Sequence, residues 1–241
     1  MNPAQLEALL YAVAAGGANV LGALVVTANA RRGVRALEGM VALAAGFMMA
    51  VSLTDLLPEA IERHGHRAAV VALMGYLLVH LTQHTLSRHF HFGEETHEVS
   101  ETVSRSALVG LMLHTFVDGV AIASGFAVSR ELGVLVFMAI LLHKLPEGLA
   151  ISSLFLAAGA TRSRALTAGA ALGLTTVLGV LLTGVVGRLA DYGLALAAGV
   201  TLYVGASNLV PEFQNKSGWR PPVAFFAGCG LYFVARVAVG H

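Results

Sequence analysis

Long apolar runs separated by short polar segments make up most of this chain. A helix needs about 20 consecutive apolar residues to cross the hydrocarbon core of a bilayer. Eight runs approach that length, so we predict an all-α polytopic membrane protein whose residues 1–241 form a single transmembrane domain. The predicted spans are Leu6–Thr27, Leu37–Leu57, Ala68–Leu86, Ser106–Val128, Gly133–Ala157, Ala165–Gly187, Tyr192–Val210 and Pro222–Val239.

Composition supports the membrane assignment. The chain is 56% hydrophobic and only 12% charged, whereas soluble domains carry about 25% charged residues. A net charge of +1 gives no basic surface for nucleic acid, so no nucleic-acid partner is expected. The 27 glycines allow helices to pack closely. The lipid bilayer is the expected surrounding of the helices, and glycine-rich helix faces also allow two copies of the chain to form a homodimer.

The basic residues in the loops predict an orientation. Odd-numbered loops carry nine Lys or Arg residues and even-numbered loops carry four. Because cytoplasmic loops are enriched in Lys and Arg, we predict that the odd loops are cytoplasmic and that both termini are extracytoplasmic.

Two segments at the ends of different spans resemble each other. Residues 52–60 read SLTDLLPEA, and residues 205–213 read GASNLVPEF. Aligning Pro58 with Pro211 also matches Glu59 with Glu212 and Asp55 with Asn208. In the predicted orientation the first segment lies at the outer surface and the second at the inner surface, as in inverted-repeat transporters. We therefore predict that spans 1–3 and 6–8 are inverted repeats around central spans 4 and 5. The alternative is that a Pro-Glu pair ends two helices independently.

Ionisable residues occur near the middle of spans 4 and 5. Span 4 carries His114 and Asp118, and span 5 carries His143, Lys144 and Glu147. Each Asp or Lys at a bilayer centre costs about 2.5–3.5 kcal/mol, so such residues are functional candidates. In both spans the histidine and the carboxylate are four residues apart, which places them on one helical face.

Two facing helices of this kind offer two imidazoles and two carboxylates. This mixed nitrogen and oxygen set suits a divalent ion such as Zn²⁺ or Fe²⁺. Pro146 removes one amide donor from span 5, and Gly119 and Gly148 permit close helix approach. The alternative interpretation is a pair of structural His–carboxylate hydrogen bonds that hold the two helices together.

The motifs HTFVDG at residues 114–119 and HKLPEG at residues 143–148 resemble the signatures of the ZIP (Zrt-/Irt-like protein) family of divalent-metal transporters. The resemblance extends to the eight spans and to the polar loop after span 3. It implies a bacterial inner-membrane transporter whose substrate is Zn²⁺ or another divalent ion (Fe²⁺, Mn²⁺ or Cd²⁺), with no organic cofactor. It also implies a metal site lined by His114, Asp118, His143, Glu147 and Met48.

The chain departs from the members of this family that hold two metals. The residues after the two histidines, which contribute to the second site in such members, are Thr115 and Lys144 here, and span 6 has no acidic residue. An ammonium group repels a second cation and can pair with Glu147. We therefore predict a single metal site in which Lys144 replaces the second ion.

Further polar residues suggest a path to and from that site. At the outer end we predict an entrance that includes Asp55 and Glu59. The predicted exit at the inner end contains Asn208, Glu212, His80 and His84. A His- and Glu-rich cytoplasmic loop over residues 87–105 offers His89, His91 and His97 for metal capture. The alternatives are that His80 and His84 are interfacial histidines and that the loop is an ordinary solvated polar segment, whereas Asp55 lies deeper in its span.

These observations favour a transporter that moves divalent metal into the cytoplasm by alternating access. A metal-conducting channel or an exporter would use the same ligands. The third hypothesis is an intramembrane metalloenzyme. A zinc protease of that kind requires an HExxH motif, in which the Glu is the general base. Here the residue after His143 is Lys144, which cannot serve as a general base. We therefore do not expect an enzyme.

Overall fold

The computed structural model of the chain describes residues 2–28, 30–86, 101–214 and 218–240. The side chains of residues 30–38, 83–86, 187, 188, 190 and 212 lie outside this description. The predicted loop histidines His89, His91 and His97 fall outside the described residues, as do the side chains of His84 and Glu212.

The described part of the chain is helical and has no β-strand. Ten α-helices and two π-helical segments (Ser52–Leu56 and Val204–Leu209) follow one another along it. The α-helices are α1 Pro3–Ala28, α2 Ala30–Val51, α3 Leu57–His64, α4 His66–Leu86, α5 Glu101–Val128, α6 Arg130–Ala157, α7 Arg162–Thr183, α8 Gly187–Tyr203, α9 Val210–Gln214 and α10 Arg220–Val239.

Seven helical stretches of the described residues are long and apolar enough to cross a membrane. They match seven of the eight predicted spans, and the second runs without interruption through Gly39–His64. The remaining span corresponds to α4, whose apolar part over the described side chains is the shorter stretch His66–Thr82. The all-helical prediction is confirmed.

Helix α5 begins five residues before the predicted fourth span, which starts at Ser106. Residues 101–105 of the predicted cytoplasmic loop are therefore helical, and their cytoplasmic location stays a prediction. Glu101 at this helix start is favourably placed against the helix dipole. Its Oε1 also lies 2.7 Å from Arg105 Nη2, one turn later. The helix therefore extends beyond the apolar run into polar residues.

Each π-helical segment ends two residues before a proline. The amide of Leu57 donates to the carbonyl of Ser52, and the amide of Val210 donates to the carbonyl of Gly205. Proline has no amide hydrogen, so the helix loses one donor at the next residue, Pro58 or Pro211. A wider π turn is one way in which a helix accommodates such a loss. The two similar sequence segments thus share the same local distortion.

Helices α5 and α6 pack against each other at the centre, with α1 and α7 along both of them. Outside this group α2 packs on α10, and α4 packs on α8. Glycines allow the closest contacts. A Cβ on Gly119 would overlap the carbonyl of Thr176, and a Cβ on Gly148 would overlap that of Asn19. These contacts fix the depth at which the polar residues of α5 and α6 meet.

Candidate metal site

The two predicted His–carboxylate pairs meet in the interior between α5 and α6. His114, Asp118, His143 and Glu147 are each at most 5% exposed. The His114 and His143 ring centroids are 5.5 Å apart. Asp118 Oδ2 lies 3.4 Å from His114 Nε2 and 3.3 Å from His143 Nε2.

This geometry can hold a metal ion. One ligand atom each from His114, Asp118 and His143 lies within 4.8 Å of the other two. Glu147 Oε1 is 4.0 Å from His114 Nε2 and has no hydrogen-bond partner among the described residues. Glu147 is therefore placed to be a fourth ligand.

The hydrogen bonding of His143 favours metal binding. Its Nδ1 lies 3.0 Å from the carbonyl of Ala139. A carbonyl only accepts hydrogen bonds, so this contact assigns the proton to Nδ1. In a neutral ring Nε2 then carries a lone pair and faces Asp118 Oδ2. Two electron-rich atoms facing each other are unfavourable unless a cation lies between them or Nε2 is protonated. Fixing a histidine tautomer by a backbone carbonyl is typical of metal ligands.

Lys144 is fully buried and contacts both carboxylates. Its Nζ donates to Asp118 Oδ2 at 2.7 Å and to Glu147 Oε2 at 2.9 Å. A buried charge is tolerated only when it is paired and hydrogen-bonded, and each of these three groups meets that condition. With neutral histidines the cluster carries two negative charges and one positive charge, which leaves it net negative.

The remaining residues predicted around the centre lie in different surroundings. Thr115 is fully buried, and its hydroxyl donates to the carbonyl of Met112 in its own helix. Met48 is fully buried in the main hydrophobic core. Helix α6 continues through Pro146 without a break, so the proline removes a hydrogen bond but does not end the helix.

Sequence reasoning missed Asn19 of α1. Its side chain is fully buried, and its Nδ2 lies 3.4 Å from Glu147 Oε2. The available signal was an amide side chain near the middle of a predicted span, with apolar and glycine neighbours such as Gly16, Gly17 and Gly22. Intramembrane polar residues are expected to face the protein interior.

The predicted entrance residues lie on or beside the first π segment. Asp55 is 4% exposed, accepts a hydrogen bond from Tyr232 and lies 3.5 Å from Arg236 Nη2. Both partners belong to α10. Glu59 is half-buried and pairs with Arg63 at 2.6 Å.

Two residues of the predicted exit are described with their side chains. Asn208 is half-buried in the second π segment, and His80 of α4 is exposed. The hydroxyl of Tyr203 lies 3.4 Å from His80 Nδ1. The metal role of both residues stays a prediction.

A family model described as "ZIP Zinc transporter" matches residues 98–236 of the chain. This range covers more than half of the sequence and contains His114, Asp118, His143, Lys144 and Glu147.

Several curated zinc transporters are similar to this chain. Zinc transporter ZIP4 of Rattus norvegicus is 32% identical over 120 residues, covering 48% of this chain and 18% of that protein. Zinc transporter ZIP13 of Homo sapiens is 32% identical over 143 residues, with coverages of 51% and 38%. Zinc transporter ZIP9 of Micropogonias undulatus is 28% identical over 183 residues, with coverages of 70% and 59%. The chain therefore spans less than two thirds of the length of each of these relatives.

Proposed function

This chain belongs to the ZIP zinc transporter family, and we propose that it is a membrane protein that transports divalent metal ions, with Zn²⁺ as the main substrate. The observation that carries this proposal is the buried cluster of His114, Asp118 and His143 inside the matched region. These side chains converge at the centre of two long apolar helices. That is where an ion must be held while it crosses the hydrocarbon core.

The ligand chemistry fits a transported ion. Imidazole and carboxylate ligands accept Zn²⁺, Fe²⁺, Mn²⁺ and other first-row divalent ions. The carboxylates of Asp118 and Glu147 offset the charge of the ion in a medium of low dielectric constant. In this proposal the metal is the substrate, and no organic cofactor takes part.

We expect the site to carry one ion at a time. Lys144 occupies the position at which a second cation would meet both carboxylates, and its Nζ contacts each of them. The neighbouring Thr115 has its hydroxyl bound within its own helix. The ammonium of Lys144 thus takes the place of a second metal.

An inverted repeat is supported by matching glycine contacts. Gly46 of α2 meets the carbonyl of Phe225 on α10, and Gly199 of α8 meets the carbonyl of Ala72 on α4. The same number of residues separates Gly46 from Gly199, Ala72 from Phe225, and Pro58 from Pro211. We infer that spans 1–3 and 6–8 are related by a two-fold axis through the centre.

The same axis relates the two central helices. His114 and Asp118 are separated from His143 and Glu147, respectively, by one constant interval, which also separates Gly119 from Gly148. A metal site on the axis lies where two halves of a transporter move against each other. This supports alternating access as the transport mechanism.

The path to the site is proposed from the two π segments. Asp55 lies at the first, where its pairing with Tyr232 and Arg236 would have to loosen for an ion to be received. Glu59 would extend this entrance, and Asn208 with His80 would mark the exit. We also propose that the protein lies in the inner membrane with both termini outside. The loop over residues 87–105 would capture metal, and two copies of the chain would form a homodimer.

Uptake into proteoliposomes tests the function. Vesicles that contain the purified chain and a fluorescent zinc indicator are expected to accumulate Zn²⁺ faster than protein-free vesicles, without ATP. An equal rate in the two preparations would contradict transport. Outward flux alone, measured in cells loaded with Zn²⁺, would identify an exporter, and a flux that does not saturate with Zn²⁺ would identify a channel.

A further inference from the structure

Asn19 reaches the metal site from a third helix, α1. Gly148 of α6 has no side chain, so the backbone of α6 lies directly against the carbonyl of Asn19. This close approach brings the amide of Asn19 beside Glu147, the residue before Gly148. The side chain is fully buried at that point.

Only one end of this buried amide is satisfied. Its Nδ2 donates to Glu147 Oε2 at 3.4 Å. Its Oδ1 has no hydrogen-bond partner in the described ranges, and the same is true of Glu147 Oε1. Buried polar atoms in native proteins nearly always have a partner, and each exception calls for an explanation such as a bound ion.

The corresponding position on the other side of the site behaves differently. Thr176 of α7 stands against Gly119 as Asn19 stands against Gly148. Its hydroxyl is satisfied by the carbonyl of Leu172 in its own helix, at 3.3 Å. Among the described residues, a buried side-chain oxygen with no hydrogen-bond partner is therefore found at Asn19 and not at its counterpart Thr176.

We propose that Asn19 is a further ligand of the transported divalent ion. Its Oδ1 binds the ion, while its Nδ2 holds Oε2 of Glu147 and leaves Oε1 free to bind the same ion. This assignment rests on the proposed function. A neutral amide adds an oxygen ligand without adding charge to the cluster. Carbonyl oxygens suit Mn²⁺, whereas imidazole suits Zn²⁺, so Asn19 contributes more to Mn²⁺ binding than to Zn²⁺ binding.

Asn19→Leu tests the ligand role, because leucine has a similar volume and no polar atom. In the purified 241-residue chain in detergent we expect Mn²⁺ binding to weaken about tenfold or more, with a smaller loss for Zn²⁺. Thr27→Ala is the matched control on the same helix, since among the described residues this buried hydroxyl donates to carbonyls of α1 alone. It is expected to leave both affinities unchanged. Unchanged affinities in Asn19→Leu, or equal losses for the two ions, would overturn the proposal.

Asn19→Asp distinguishes the role of Oδ1 as a metal ligand from the role of Nδ2 as a hydrogen-bond donor. It keeps the shape and Oδ1 and replaces the amide donor with a second oxygen that shares a negative charge. The added charge offsets the lost hydrogen bond to Glu147, so the variant is expected to bind Mn²⁺ and Zn²⁺ at least as tightly as the wild type. If Asn19→Leu gives no monodisperse protein, the metal affinities of Asn19→Asp are the test. Weaker binding in Asn19→Asp than in the wild type would then overturn the proposal.

Absence of binding by the wild type would refute the proposed function together with this inference. Wild-type binding that is lost in Glu147→Gln but kept in Asn19→Leu would refute only the role of Asn19.

Discussion

Glu147→Gln and Asp118→Asn are each expected to abolish Zn²⁺ uptake, although both substitutions preserve the size of the side chain. Each removes one negative charge from a buried cluster that carries two carboxylates and the ammonium of Lys144. The remaining charges cancel, so little attraction is left for a divalent ion. Mutating a residue that only hydrogen-bonds to a metal ligand lowers metal affinity about 10- to 100-fold. We expect a larger loss of Zn²⁺ affinity here, because the substituted residue is itself a proposed ligand.

Glu101→Gln provides the matched control. Glu101 lies on α5 like Asp118, but it is largely exposed and pairs with Arg105. Its removal should leave uptake at the wild-type rate. Initial rates in proteoliposomes, normalised to reconstituted protein, compare the three variants. Wild-type uptake in Glu147→Gln or Asp118→Asn would show that the ion crosses elsewhere.

Lys144→Met is expected to destabilise the metal-free protein strongly. Methionine fills a similar volume but leaves Asp118 and Glu147 as two buried carboxylates without a cation. Removing one partner of a buried ion pair costs about 3–5 kcal/mol in the free energy of unfolding. Zn²⁺ should recover part of this loss, since a ligand at 100 times its dissociation constant stabilises the folded state by about 2.7 kcal/mol.

Thermal unfolding in detergent, with a chelator and then with Zn²⁺, measures both effects. Arg130→Met is the control on the same helix, because Arg130 forms an exposed ion pair with Glu7 at 3.1 Å. Such exposed pairs contribute about 0–1 kcal/mol. If Lys144→Met unfolded at the same temperature as Arg130→Met in the chelator, the counter-charge role of Lys144 would be wrong.

Features that depend on one helix at a time were predictable from the sequence. The apolar runs gave the helices, and the four-residue spacing in spans 4 and 5 gave two polar faces. The pairing of Lys144 with Glu147 also follows from spacing within one turn. That the polar faces of the two helices meet was a further prediction. The structure agrees with it, because His143 Nε2 lies 3.3 Å from Asp118 Oδ2.

Features that depend on which helices become neighbours were not predictable. The contact of Asn19 with Glu147 requires that α1 pack against α6 at Gly148, and no spacing within one span encodes that. The partners of Asp55 on α10 are distant in sequence for the same reason. The π turns before Pro58 and Pro211 depend on how each helix compensates for a lost donor, which proline alone does not determine.

A count of bound zinc on the purified 241-residue chain is the most direct test of the single metal site. Protein equilibrated with Zn²⁺ and freed of excess by gel filtration is analysed by elemental mass spectrometry, beside Glu147→Gln. We expect one zinc ion per wild-type chain and none on the variant. Two ions per wild-type chain, or one ion retained by Glu147→Gln, would contradict it.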